Sequence, residues 1–140
     1  MMEPMDGWEV LEKIRGNPVT QDIPVIVLSA KFPQPHEMRI YSLQIDDYLL
    51  KPVVRETLCD AVHGFFIFRA ELDRIAAECR SSDLPPGICD EYIENARFLY
   101  VMRRLESITA PDLFIDIPGS EIKRKRMAEI DKIFKEHGIT

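Results

Sequence analysis

The chain has 140 residues, 46% of them hydrophobic and 30% charged. That is room for one ordinary domain, or a small one with an extension, and it excludes a disordered chain. A net charge of −6 argues against nucleic-acid or anionic-membrane binding through overall charge.

No apolar run approaches the roughly 18–20 residues that a membrane-spanning helix needs. The first residues, MMEPMDGWEV, are acidic and lack the basic region of a signal peptide. A cytoplasmic protein is therefore expected. Cys59, Cys79 and Cys89 are spaced 20 and 10 apart, which fits no zinc or redox motif. They read as ordinary buried thiols. His36, His63 and His137 are far apart in sequence and form no metal or nucleophile–base set.

Residues 1–16 predict a turn feeding a helix. Asp6 and Glu9 have capping-box spacing, and Met5 and Val10 occupy the hydrophobic-staple positions. Trp8, Leu11 and Ile14 recur at helical spacing, and Gly16-Asn17-Pro18 stops the helix. Residues 24–30, PVIVLSA, hold an unbroken apolar run from Val25 to Leu28. Such a run predicts a strand covered on both faces, as in a parallel sheet. The strand ends at Ser29. A loop with Pro33 and Pro35 follows, then a helix through about Leu43, with Met38, Tyr41 and Ile45 as inward candidates. Tyr48, Leu49 and Leu50 form a second short strand, ended by Lys51-Pro52.

Helix, strand, helix, strand is the rhythm of a doubly wound α/β fold. Sites in such sheets form outside the carboxyl ends of the strands. Ser29 and Lys51 would share that edge, and a hydroxyl beside an ammonium suits a compact anion such as a phosphoryl group.

From Val54 to Cys79 one long helix is expected. Leu58, Ala61, Phe65, Phe68, Leu72, Ile75 and Cys79 alternate spacings of 3 and 4, an a/d seam. The seam must meet a later helix or a second copy of itself. Gly64 interrupts it. Residues 81–87, SSDLPPG, are the best linker. A helix over 88–108 follows, with a seam of Ile88, Tyr92, Ala96, Leu99 and Arg103, or of Tyr92, Ile93, Ala96 and Tyr100. Residues 110–119 read as an irregular connection. Ser120 is expected to cap the last helix and Gly138 to lie past its end, with Ile122, Met127, Ile130, Ile133 and Phe134 as the apolar face. The basic run Lys123-Arg124-Lys125-Arg126 reads as a solvated face. Residues 80–140 hold 10 Lys and Arg against 11 Asp and Glu, a net of −1, so no nucleic-acid partner is expected.

Taken together, residues 1–79 resemble the second half of a response-regulator receiver, the phospho-acceptor module of two-component signalling. MMEPMDGWEVLEKIR resembles the segment after the acceptor aspartate, which in the family runs roughly Asp-x-x-Met-Pro-x-Met-Asp-Gly. Met2, Met5, Asp6 and Gly7 match, while Glu3 and Pro4 are transposed. PVIVLSA resembles the family's fourth strand. IDDYLLKP resembles the fifth, where Gly-Ala-Asp-Asp-Tyr-Leu-x-Lys-Pro is typical, with Gln44-Ile45 in place of Gly-Ala. The usual Ser/Thr cap of the last helix is replaced near Val54.

The resemblance implies an α/β fold: a partial doubly wound, flavodoxin-like parallel sheet. Residues 1–79 would carry the last two strands and last three helices of a receiver, and residues 80–140 an all-α extension. Ser29 would hydrogen-bond a phosphoryl oxygen, Lys51 would pair with the phosphoryl charge, and Tyr48 would change rotamer with Ser29 on activation. Lys51-Pro52 would be a cis peptide. Met1 would offer its backbone carbonyl to the Mg²⁺ of a complete receiver. A sensor histidine kinase is the implied partner, and the chain itself is not expected to be an enzyme.

The acceptor aspartate should lie two residues before Met1, and the Mg²⁺-binding acids farther upstream, with the first three strands. Without the third strand, the strand carrying Val25, Ile26, Val27 and Leu28 has an unpaired edge. Two alternatives follow. The chain is part of a phosphorelay receiver whose acceptor is upstream, or it is a phosphorylation-independent interaction module from a degenerate receiver. The module would dimerise through that edge or through the Leu58, Phe65, Leu72 and Ile75 seam.

Overall fold

The computed structural model describes residues 6–108 and 119–139. The first helix, α1 (Gly7–Gly16), starts where the capping box places it. Asp6 is the N-cap, and its carboxylate accepts the Glu9 amide at 2.9 Å. The staple partner Met5 lies outside the described residues. Strand β1 (Ile26–Ser29) runs parallel to β2 (Asp47–Leu50), with Val27 opposite Tyr48 and Ser29 opposite Leu50. The connecting helix α2 (Pro35–Tyr41) is shorter than expected, ending two residues before Leu43. Three helices follow: α3 (Arg55–Arg80), α4 (Ile88–Ile108) and α5 (Ser120–Glu136). The molecule is an α/β fold, a two-stranded parallel piece of sheet with its helices, followed by a helical extension.

Two side-chain clusters hold these elements. In the first, Leu11 of α1, Met38 of α2, Ile45 and Tyr48 pack with Phe98, Val101, Met102 and Leu105 of α4. The core of the α/β part thus includes the extension. Complete burial of a side chain such as Phe98 or Met102 contributes about 1.5–3 kcal/mol, so α4 is held mainly by apolar contact. The second cluster joins Ile75 and Cys79 of α3, Ile88 of α4, and Ile130, Phe134 and Ile139 at the C-terminal end. The Phe68 ring stacks on Tyr100 at 4.2 Å, tying α3 to α4 along their length.

Several expectations change. Phe65, Leu72 and Ile75 are buried within the single chain and Leu58 is half-buried. The α3 seam is therefore the chain's own packing surface and is not free for a second copy. On α4, Arg103 is exposed, and the buried stripe runs through Asn95, Phe98, Met102 and Leu105, with Val101 beside it. A helix that touches α3, α5 and the sheet buries more than one seam, so a single heptad line misses its inner face. Strand β1 is not covered on both faces, since Leu28 remains 42% exposed.

Ser120 does not cap α5. Gly119 is the N-cap, at φ +93, a left-handed entry that favours glycine. Gly138, at φ +75, does follow the C-terminus of α5. Ile122 is 73% exposed and falls off the apolar face, which Ile130 and Phe134 anchor. The basic run is largely paired. Arg124 binds Glu106, Arg126 binds Glu91 and Glu129, and Lys123 donates to Asn95 and sits over the Phe98 ring.

Candidate functional site

The carboxyl ends of β1 and β2 bring Ser29 and Lys51 together. The Lys51 amide donates to the Ser29 carbonyl at 2.7 Å, extending the ladder one step past β2. The Ser29 hydroxyl accepts the Lys31 amide at 3.1 Å, which shapes the loop after β1. The Lys51 side chain is exposed, with no ion-pair partner among the described residues. Lys51-Pro52 is a cis peptide.

Tyr48 lies behind this edge at 2% exposure. Its hydroxyl donates to the Lys31 carbonyl at 2.8 Å. Burial pushes the phenol up, and the neighbouring Ser29 hydroxyl opposes that only partly. Ser29, Lys31 and Tyr48 are one hydrogen-bonded unit, and the Lys51 backbone joins the same edge. Chemically, the edge offers a hydroxyl and an unpaired cation to a compact anion, with a buried phenol linked to the same loop.

The acidic pair before Tyr48 serves the fold. Asp46 accepts the Val25 amide at 2.8 Å and is bound by Arg15 of α1 at 3.1 Å and Arg97 of α4 at 3.2 Å. Asp47 is fully buried, caps the Tyr48 amide at 2.8 Å and is bound by both Nε and Nη2 of Arg104. Sequence reasoning missed the three arginines. Arg97 and Arg104 are seven residues apart, two turns of helix, and that spacing opposite consecutive aspartates was the available signal.

The Mg²⁺ that the resemblance implies does not fit the described residues. Asp46 and Asp47 are taken by arginines, and among the described residues no three His, Cys, Asp or Glu side chains could hold a metal ion. Met1 lies outside the described residues. Among those residues, no helix is long and apolar enough to cross a membrane.

Farther along, Trp8 stacks flat on Tyr41 at 4.4 Å and donates its indole N–H to Glu37. Tyr41 donates to Glu12 at 2.7 Å, and that bond raises its pKa to about 12. The helix that follows the Ser29 loop is thereby fastened to α1.

The model of the response regulator receiver domain matches residues 1–63. A probable cyclic di-GMP phosphodiesterase of Vibrio cholerae serotype O1 is 40% identical over 63 residues, 45% of this chain. The chain spans only 14% of that relative's length. No solved structure matches. Residues 1–63 are therefore similar in sequence to a response regulator receiver, the module of two-component signalling.

Proposed function

We propose that this chain carries the phosphoryl-sensing half of a phosphorelay receiver, with the acceptor aspartate upstream of Met1. Ser29 donates its hydroxyl to a phosphoryl oxygen, Lys51 pairs with the phosphoryl charge, and Tyr48 follows Ser29 through the Lys31 backbone that both side chains hold. The single observation that supports this is the Lys51 amide to Ser29 carbonyl bond at 2.7 Å, which puts both residues at the same carboxyl edge of the sheet. Mg²⁺ would be held by acids of the upstream part, and a cytoplasmic sensor histidine kinase would supply the phosphoryl group. Residues 1–79 are the receiver half and residues 80–140 the extension, joined through α4. No catalytic step is assigned to the chain. The phosphodiesterase named in the comparison matches it over 63 residues only.

The test uses the protein with its encoded upstream sequence. Acetyl phosphate and Mg²⁺ should yield a hydroxylamine-labile phosphoryl adduct and a change in emission of Trp8, the sole tryptophan of these 140 residues. Lys51→Ala should keep the adduct and lose the emission change. An upstream sequence without an aspartate two residues before Met1, or the absence of any adduct, would overturn the relay.

One observation favours a second function, a phosphorylation-independent interaction module. In β1 the ladder to β2 uses Val25 and Ser29. Alternation turns the amides of Ile26 and Leu28 to the opposite edge, where no described strand pairs. Leu28 and Ile23 are exposed beside it. A homodimer through this edge, unchanged by acetyl phosphate and dispersed by Leu28→Lys, is the outcome that distinguishes it.

A further inference from the structure

The turn between α3 and α4 brings together two cysteines ten residues apart. Cys79 ends the α3 seam and is 9% exposed, whereas Cys89 is the second residue of α4 and is half-buried. Both belong to the cluster around Ile75, Ile88 and Ile130. Both also line one open groove of about 260 Å³, whose other walls include Ala76, Arg80, Leu84 and Pro85. Burial, with the Cys89 thiol nearby, pushes Cys79 up to about 12.

The surroundings divide the pair by role. Cys89 reaches the groove from the first turn of α4 and is the more accessible of the two. Arg80 in the same groove adds positive charge. Cys79 is held protonated and inside. This is the arrangement of an accessible thiol next to a resolving one. Cys59, exposed on α3, lies in neither the cluster nor the groove.

We propose that Cys79 and Cys89 form a reversible redox site that a small peroxide oxidises to an intrachain disulfide, pinning the α3–α4 turn. The Cys89 thiolate attacks one peroxide oxygen, the O–O bond breaks, and the hydroxide released takes a proton to leave as water. The Cys79 sulfur then displaces the hydroxyl of the Cys89 sulfenic acid, forming the S–S bond and a second water. Two thiols are oxidised and one peroxide is reduced.

The test treats the full chain with hydrogen peroxide in its native state and alkylates after unfolding. The expected result leaves Cys59 as the sole alkylated thiol, and a reductant restores the other two. Trypsin cuts after Arg80, so the disulfide joins two peptides that separate on reduction. Cys59→Ser should retain the linked peptides. Cys89→Ser should leave Cys79 reduced and alkylatable. If Cys79 and Cys89 both survive as thiols, if Cys89 ends as a sulfinic acid beside a reduced Cys79, or if interchain Cys59 dimers are the main product, the proposal is overturned and the pair is only packing.

Discussion

The Arg104 Nε donates to Asp47 Oδ1 at 2.8 Å across 57 residues of chain, and the carboxylate it meets is fully buried at the foot of β2. One step away, Arg97 and Arg15 hold Asp46 from two different helices. Apolar burial holds α4 to the sheet, and the paired charges fix where along the sheet it sits. A buried ion pair adds little net stability over an apolar pair, yet losing one partner leaves an uncompensated charge. The aspartates that precede Tyr48 therefore connect the extension directly to the element that carries Tyr48 and Lys51.

Arg104→Ala should destabilise the protein by about 3 kcal/mol, the lower end of the range for breaking a buried pair, because the guanidinium is itself partly exposed. Urea denaturation measures it. Combining the change with Asp47→Asn should recover much of the loss, since the stranded charge is gone. A single-variant effect below about 1 kcal/mol, in the range of exposed pairs, would mean that water satisfies Asp47.

Gly64→Ala should stabilise α3. Glycine inside a helix costs about 1 kcal/mol relative to alanine. A Cβ added here would meet only the Tyr100 hydroxyl, at 3.6 Å, an ordinary contact. A midpoint shift to higher urea with an unchanged slope is expected. A lower midpoint would show that the Phe68–Tyr100 stack depends on the absence of that methyl.

Much of this was legible because it is local. The Asp6 cap, the boundaries of α4 and the ends of both strands follow from neighbouring residues, and Ser29 with Lys51 at one edge follows from parallel pairing. What the sequence withheld depends on partners far along the chain. Asn95 and Met102 are buried because α4 meets three surfaces at once, and Leu28 is exposed because no described strand or helix covers it. Cys79 and Cys89 match no spacing motif, since a helical hairpin and not a short loop brings them together. Ser120 looked like a cap because serine is a common one, but the backbone enters α5 in a conformation that glycine adopts.

Gly119→Ala tests that entry. At φ +93 an L side chain is strained, and the left-handed region costs a non-glycine residue about 1–2 kcal/mol. The loss should appear in thermal unfolding of the whole chain, because Ile130 and Phe134 tie α5 into the second cluster. No loss would mean that α5 can begin one residue later without strain.

Alkaline pH should unfold the protein over a defined window. All four tyrosines, Tyr41, Tyr48, Tyr92 and Tyr100, are raised above the usual 10. Tyr41 reaches about 12, mainly through its hydrogen bond to Glu12, and burial is the leading cause for the other three. Above pH 10 the unfolded chain releases phenolic protons that the folded chain keeps, so stability falls as pH rises. The contribution is whole below pH 10 and, for Tyr41, is lost by about pH 12. Phenolate absorbance of the native protein should therefore rise late and in step with loss of helix. Glu12→Gln removes the main cause at Tyr41 and should bring one phenol back toward 10 while the protein stays folded. Should the native protein show its phenolate absorbance rising at pH 10 with its helix content intact, the tyrosine hydrogen bonds and burial described here are wrong.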